Sequence, residues 1–175
     1  IGVGLKSLGY SFNSTNEKEL EEAKQKLIAQ SNNVLSYTGD EVKDKMVSGE
    51  AAMAVIYSGD AATCIAQNPD LAFALPAEGS NLFFDAMVIP NTSTHKKEAE
   101  LFINFMCETD SALKNVEYIG YSTPHTGAFE SLSEDVKNSF AYPSDEDLEK
   151  SEIFIDLGSK TKLYDEIWTV IKASL

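Results

Sequence analysis

Residues 82–106 read LFFDAMVIP-NTSTH-KKEAELFINFM, and this stretch indicates the fold. The mainly apolar segment over 82–90, interrupted by Asp85, ends at Pro90 and predicts a β-strand. A short polar loop separates it from an amphipathic helix predicted over 96–107. The residues that would face the core recur at helical spacing: Ala99, Phe102, Ile103 and Met106. A strand followed by a helix is the repeating unit of α/β proteins.

The same alternation continues on both sides of this stretch. AAMAVIY (51–57) and LAFALP (71–76) predict two more strands, while 121–129 is predicted to be extended loop. Further helices are predicted over 16–30, 41–48, 111–119 and 159–173, with short ones between 133 and 150, and a turn that leads into a helix is predicted over 58–68. Their expected N-caps are Asn16, Asp40 and Asp110, and their expected stops include Gly9, Gly49 and Gly120. The fold class indicated is therefore α/β.

The charge balance excludes several kinds of partner. The 175 residues include 28 Asp and Glu against 14 Lys, no Arg, and a formal net charge of −14. Such a chain is poorly suited to neutralising nucleic-acid phosphates, and it lacks the guanidinium group that recognises anions in bidentate fashion. Its field attracts cations instead. The longest apolar run, residues 51–57, is far too short to span a membrane.

No motif for catalysis, metal binding or a cofactor is present. Cys64 and Cys107 lack CxxC spacing and are expected to be reduced, buried small hydrophobes. His95 and His125 do not form an HxxxH or HExxH pattern. Ser58 stands in a turn without the glycine pattern of a nucleophile elbow. With so many acidic residues, a catalytic pair of carboxylates of the kind that hydrolyses glycosides is not excluded by the sequence, but no motif supports an enzyme.

One group of residues does suggest a ligand. Tyr57 ends a predicted strand, Phe83 and Asp85 begin another, and Tyr121 follows the helix stop at Gly120. In open α/β sheets ligands bind beyond the ends of strands. Aromatic faces attract cations and cover methylene chains, and a carboxylate fixes an ammonium group. The alternative is that these aromatics are core residues, which is the expectation for Phe84 on the opposite face of the strand.

The order of motifs is also familiar. KSLGYSFNSTNEKELEEAKQKL, GEAAMAVIYSGDAA, FFDAMVIPNTSTHKKEAELFINFM and EYIGYSTPHTGA follow one another along the chain. Together they resemble the C-terminal half of the spermidine/putrescine-binding proteins, the substrate-binding components of polyamine ABC importers. The resemblance implies an incomplete, type II periplasmic-binding-protein-like architecture of two α/β lobes. It assigns residues 1–82 and 129–175 to the second lobe, and residues 83–128 to a crossover segment that completes the first lobe.

The resemblance also implies a binding site. Asp85 matches the family's aspartate that pairs with a polyamine ammonium, and Tyr121 matches its tyrosine in IGYxTP. Phe83 and Tyr57 stand where tryptophan is common, so an aromatic face is kept but an indole N–H is lost. Phe154 stands where the family often has a polar side chain. This departure bears on how the terminal amine is recognised.

The implied partners follow from the same comparison. The expected ligand is a polyamine held in a cleft between the lobes, with Glu152 and Asp156 as nearby acids. The expected second partner is an ABC transporter permease, and the expected location is the periplasm or the extracellular face of the membrane. Two alternatives stay open: the solute is another small molecule, or the chain is a non-binding fragment that self-associates by swapping the crossover segment.

Overall fold

Helices form nearly all of the regular secondary structure in the computed structural model, which describes residues 1–175. In chain order they are α1 (Gly2–Lys6), α2 (Glu17–Ala29), α3 (Val42–Val47), α4 (Ser58–Gln67), α5 (Lys96–Met106), α6 (Thr109–Ile119), α7 (Thr126–Ser131), α8 (Glu134–Lys137), α9 (Asp145–Leu148) and α10 (Thr161–Lys172). Two short 3₁₀ helices cover Ser31–Asn33 and Gly158–Lys160. The strands β1 (Asn81–Leu82) and β2 (Glu152–Ile153) pair in parallel, with Asn81 opposite Glu152.

The chain divides into two compact units. Unit 1 consists of residues 1–40, 75–83 and 144–175. Unit 2 consists of residues 41–74 and 84–143. Both β-strands belong to unit 1, and helices α3 to α8 belong to unit 2.

Unit 1 is built around a core between helices α1, α2 and α10. Asn16 caps α2 as predicted, with its side chain accepting a hydrogen bond from the Lys18 backbone N–H. The apolar face of α2 packs against the inward faces of α1 and α10. The buried residues of this core are Leu5, Leu20, Ala23, Leu27, Ile167 and Ile171. The periodicity that predicted α2 and α10 is therefore the periodicity of the core.

Unit 2 buries mainly small residues. Ala61 and Cys64 are buried on α4, and Ala112 and Val116 are buried on α6. The α6 helix ends at Gly120, which adopts a positive φ of 73° and donates its backbone N–H to the Val116 carbonyl. This left-handed ending is the one that the sequence predicted for Gly120. Small buried side chains let helices approach closely but remove little apolar surface from water.

The three predicted strands are wrong as local structure. Residues 51–57, 71–76 and 83–90 lie outside regular secondary structure, and only Leu82 of the third prediction belongs to a strand. A strand requires hydrogen bonds to a neighbouring strand, and these segments have no such neighbour within the chain. Several of their apolar side chains are exposed, with Met53 at 88% and Val88 at 80%, while others such as Ile56 and Phe73 are half-buried.

Several details of the helices also differ from prediction. Asp40 and Asp110 do not act as N-caps, since α3 is preceded by Glu41 and α6 by Glu108. The predicted extended loop over 121–129 becomes helix α7 from Thr126 onward. There the His125 side chain accepts a hydrogen bond from the Ala128 backbone N–H and so supplies a cap.

The helix α5 forms within one residue of its predicted bounds, but its predicted core face is not buried. Phe102 is 58% exposed, and no residue of α5 is buried. Cys107, which follows this helix, is exposed rather than buried, whereas Cys64 is buried as predicted. Amphipathic spacing predicts a helix from local contacts, but burial of its apolar face depends on a partner surface.

The predicted division into lobes stays a prediction. Contacts within the chain separate Phe83 from Phe84, close to the predicted boundary, but they also group residues 41–74 and 129–143 with unit 2. No helix of the structure combines the length and apolar character needed to cross a membrane.

Candidate functional site

The first turn of α4 carries two residues of the candidate site. Tyr57 is the N-cap residue, with an extended backbone conformation, and its carbonyl accepts the Ala61 backbone N–H at 2.9 Å. Gly59 is buried, and Asp60 follows it in the first turn. The Tyr57 side chain is 59% exposed, so its aromatic ring faces outward at the start of the helix.

The end of α6 approaches this turn closely. A Cβ atom built on Gly120 would lie 3.3 Å from the Gly59 carbonyl oxygen and 3.4 Å from the Ala62 Cβ. The space between the two helix ends is thus filled by the glycine backbones themselves. Two features favour glycine at position 120: the close approach of the α4 backbone, and a positive φ that disfavours residues with a side chain.

Tyr121, the next residue, lies directly on Gly59. A Cβ atom built on Gly59 would lie 2.0 Å from Cδ2 and 2.5 Å from Cγ of the Tyr121 ring. These distances are far below van der Waals contact, and Cγ is fixed close to the backbone, so the ring could not avoid such an atom by a small rotation. The absence of a side chain at Gly59 therefore creates the position of the Tyr121 ring.

The Tyr121 hydroxyl interacts with Asp60. Burial of the phenol is the main cause that raises the pKa of Tyr121, and the Asp60 carboxylate raises it further by its charge and by a side-chain hydrogen bond. The backbone of Asp60 also forms a hydrogen bond that acts in the opposite direction. The nearby Tyr57 hydroxyl makes a smaller contribution that raises the pKa. The two predicted tyrosines are therefore brought together around Asp60.

Lys43 connects this group to α3. Its ammonium nitrogen lies 3.4 Å from the Asp60 carboxylate, and the two side chains are 33% and 23% exposed. The Lys43 carbonyl also faces the Cys64 thiol, with a sulfur-to-oxygen distance of 3.9 Å. Burial raises the pKa of that thiol, so Cys64 has the character of a core residue and not of a nucleophile.

The other predicted site residues lie elsewhere. Asp85 belongs to unit 2 and is exposed in the irregular segment over 83–90. It is not among the groups that raise the pKa of Tyr121. Phe83 belongs to unit 1. The expectation that Phe84 is a core residue is wrong for this chain, because Phe84 is 70% exposed while Phe83 is 37% exposed.

The region around Phe154 in unit 1 contains a cavity of about 510 Å³. Phe154 packs edge-on against Phe12, with ring centroids 5.5 Å apart. The Glu152 carboxylate, one of the two acids expected to assist a ligand here, is instead bound by Lys6 and Ser11. Asp156 remains at the cavity and accepts the Gly158 backbone N–H at 2.8 Å. The cavity is lined by aromatic rings and carboxylates: Phe12, Phe154, Tyr164, Trp168, Asp156 and Asp165.

The chemistry offered by both regions suits organic cations. Aromatic rings such as Tyr57 and Tyr121 attract a cation that lies within about 6 Å of the ring. A carboxylate such as Asp156, at the cavity of unit 1, accepts hydrogen bonds from an ammonium group. The net charge of −14 favours the approach of a cation over that of an anion.

Sequence reasoning missed Gly59, Asp60 and Lys43. The string Tyr57-Ser-Gly-Asp60 does not match a nucleophile elbow, and only its tyrosine is predicted to contact a ligand. A glycine inside the first turn of a predicted helix, between an aromatic and an acid, was a signal that another group approaches the backbone there. Nothing in the sequence indicates that Lys43 is the partner of Asp60, because the pair is separated by seventeen positions.

Comparisons with known proteins agree with this chemistry. Residues 3–144 match the family described as bacterial extracellular solute-binding protein. The spermidine/putrescine-binding periplasmic protein of Escherichia coli K12 is 31% identical over 172 residues, which cover 98% of this chain and 49% of that protein. The chain therefore spans about half the length of the curated relatives it matches.

Two solved structures are similar over nearly the whole chain. The spermidine/putrescine ABC transporter substrate-binding protein of Streptococcus pneumoniae is 39% identical, with a TM-score of 0.86. The similar region covers 99% of this chain and 54% of the Streptococcus pneumoniae chain. A Listeria monocytogenes protein assigned to spermidine/putrescine ABC transport is 40% identical, with a TM-score of 0.91. The similar region covers 98% of this chain and 53% of the Listeria monocytogenes chain.

These similarities define the class of the protein, that of the solute-binding proteins. The chain belongs to the bacterial extracellular solute-binding protein family. This membership, with the two similar structures, confirms the predicted fold class of a periplasmic-binding-protein-like α/β architecture. It also confirms the predicted extracellular location and the prediction of a binding protein rather than an enzyme.

Proposed function

We propose that the chain is part of the substrate-binding component of a polyamine ABC importer. The observation that carries this proposal is its similarity, over 98% of its length, to a protein that binds spermidine and putrescine. The grouping of Tyr57 and Tyr121 around the first turn of α4 supports it. The whole protein would deliver its ligand to a membrane permease, and the net charge of −14 argues against nucleic acid as a ligand.

The proposed binding mode is non-catalytic. Tyr57, Phe83 and Tyr121 cover the methylene chain of the polyamine, and Asp85 accepts a hydrogen bond from one ammonium group. A ligand held between lobes shifts the equilibrium toward the closed form only as far as it binds that form more tightly. The closed form would then dock on the permease.

Replacing Asp85 with Asn in the full-length protein tests this assignment. If the ion pair with the ligand ammonium is desolvated, the substitution should weaken spermidine binding by about 2–5 kcal/mol. Titration calorimetry with spermidine, putrescine and a simple monoamine measures the change. An Asp85→Asn protein that binds spermidine as tightly as the parent would remove Asp85 from the site.

A matched control separates the contact from the general charge effect. Asp70→Asn removes the same charge from an exposed position of unit 2. It should leave the affinity nearly unchanged and alter only the salt dependence of association. A competition experiment tests the alternative of another small solute. Displacement of bound spermidine by a sugar or a metal ion would support that alternative.

A further inference from the structure

The contacts around Tyr121 point beyond the four residues of the proposed site. Tyr121 is fixed on three sides: by the Gly59 backbone below its ring, by Asp60 at its hydroxyl, and by Gly120 before it in the chain. None of these three residues is expected from composition or periodicity to contact a ligand. All three determine where one aromatic ring lies.

We propose that Asp60, held by Lys43, is a positioning residue that orients Tyr121 for the ligand, and that the absence of a side chain at Gly59 allows the ring to occupy this position. This inference rests on the proposed function for the identity of the ligand. It does not depend on that function for the geometry of the ring.

The first step of the argument is steric. The Cβ of any other residue at position 59 would lie 2.0 to 2.5 Å from three atoms of the Tyr121 ring. Alanine normally stabilises a helix relative to glycine. At Gly59 the sign should be reversed as long as Tyr121 is present, because the ring must leave the first turn of α4 before alanine can be accommodated.

The second step is electrostatic. Asp60 presents its carboxylate to the Tyr121 hydroxyl and is also paired with Lys43 at 3.4 Å. The ammonium of Lys43 thus orients the carboxylate from the side of α3 and partly balances its charge. A carboxylate engaged in this way is suited to hold a phenol, whereas Asp85 is exposed.

A double-mutant cycle in the full-length protein tests whether Asp60 acts through Tyr121. Asp60→Ala should weaken spermidine binding roughly tenfold, in the range that coupled neighbours show. In a Tyr121→Ala background the same substitution should have no further effect, because the ring that it positions is gone. Equal effects in both backgrounds would overturn the proposal and indicate that Asp60 binds the ligand itself or supports the fold in general.

A ligand-free measurement keeps the two hypotheses separate. Tyrosine ¹³Cζ NMR, with the Tyr121 signal assigned from a Tyr121→Phe variant, reports the phenol pKa directly. Asp60→Asn should lower the pKa of Tyr121, since it removes the carboxylate charge that disfavours the phenolate, and Asp70→Asn should leave it unchanged. If the parent binds no polyamine but this shift is seen, the proposed function fails while the positioning role stands. If the shift is absent, the positioning role fails.

Gly59→Ala provides an independent check. It should weaken spermidine binding at least as much as Asp60→Ala and should lower the thermal midpoint of the parent. Combined with Tyr121→Ala, it should have a neutral or stabilising effect on the midpoint, because the clash no longer exists. A Gly59→Ala protein with normal affinity and midpoint would contradict the steric part of the proposal.

Discussion

The two units of this chain bury apolar side chains of different sizes. Unit 1 contains all three of the largest fully buried side chains, Leu5, Leu20 and Ile171. The buried hydrophobic residues of unit 2 are smaller on average and include Ala61, Ala112 and Ala128. Unit 2 also carries most of the large exposed apolar residues, of which Met53, Val55, Phe84, Val88, Leu101, Phe102 and Phe105 are each more than half exposed.

The difference shows which parts of a fold are encoded locally. In unit 1 the helices α1, α2 and α10 cover one another, so that the apolar face of each has a partner within the chain. In unit 2 the segments predicted as strands and helix α5 are covered less completely: no residue of α5 is buried, and Met53, Phe84 and Val88 are each at least 70% exposed. Each exposed methylene group that would be buried by a partner corresponds to about 0.8 kcal/mol of unused stabilisation. We expect the half of the relatives' length that this chain does not span to cover this surface.

Hydrogen exchange should show the largest contrast. The helices α2 and α5 have similar lengths, but α2 has three buried residues and α5 has none. Amides in the middle of α2 should exchange roughly a hundredfold more slowly than those of α5, because α5 can open without exposing a core. Exchange mass spectrometry of the chain measures both helices at once.

The full-length protein is the control for this contrast. If the remaining half covers α5, the protection of that helix should rise there and approach that of α2. Similar protection of α2 and α5 in the chain alone would show that α5 already has a partner surface, such as a second copy of the chain. The mass of the chain in solution would then identify the self-association that the sequence left open.

The next contrast concerns the energy of single side chains. Leu20 is fully buried in unit 1, so Leu20→Ala should lower the free energy of unfolding by about 2–5 kcal/mol. Leu101→Ala makes the same chemical change on α5, where the residue is 61% exposed, and should stay within about 0.5 kcal/mol. Urea titration of both variants measures the difference, and equal losses would contradict the assignment of the core to unit 1.

These comparisons explain how far the sequence could predict the fold. The helices were predictable because their determinants are local: Asn16 caps α2, and Gly120 ends α6 as expected. The strands were not predictable as structure in this chain. A run such as AAMAVIY indicates a strand only if another strand lies beside it, and residues 51–57 have none within the chain.

The candidate site was predictable in part for the same reason. Aromatic residues at the ends of predicted elements indicated Tyr57 and Tyr121, and the resemblance to a family supplied Asp85 and Phe83. The ring position on Gly59 depends on how α4 and α6 approach each other, which no spacing in the sequence encodes. The Lys43–Asp60 pair is likewise a contact between helices.

The smallest expected effect is a pH dependence in unit 1. The Glu152 carboxylate on β2 is hydrogen-bonded by Lys6 and Ser11, and mainly the Lys6 contact holds the pKa of Glu152 below its usual value of 4.5. A carboxyl whose pKa is depressed in the folded state stabilises the fold when it is ionised. This contribution is therefore complete above about pH 4.5 and is lost as the pH falls through the lower, folded-state pKa.

Glu152→Gln should accordingly be less stable than the parent at pH 7, by about 1 kcal/mol, since the contact is only partly shielded from solvent. The difference should shrink as the pH is lowered below 4.5, where the parent loses the same ionised contact. Glu100→Gln, on an exposed position of α5, should leave the free energy of unfolding unchanged at pH 7. A loss for Glu152→Gln that stays constant down to pH 3 would mean that Glu152 acts through packing and not through its charge, and the link between α1 and β2 in unit 1 would then be apolar in origin.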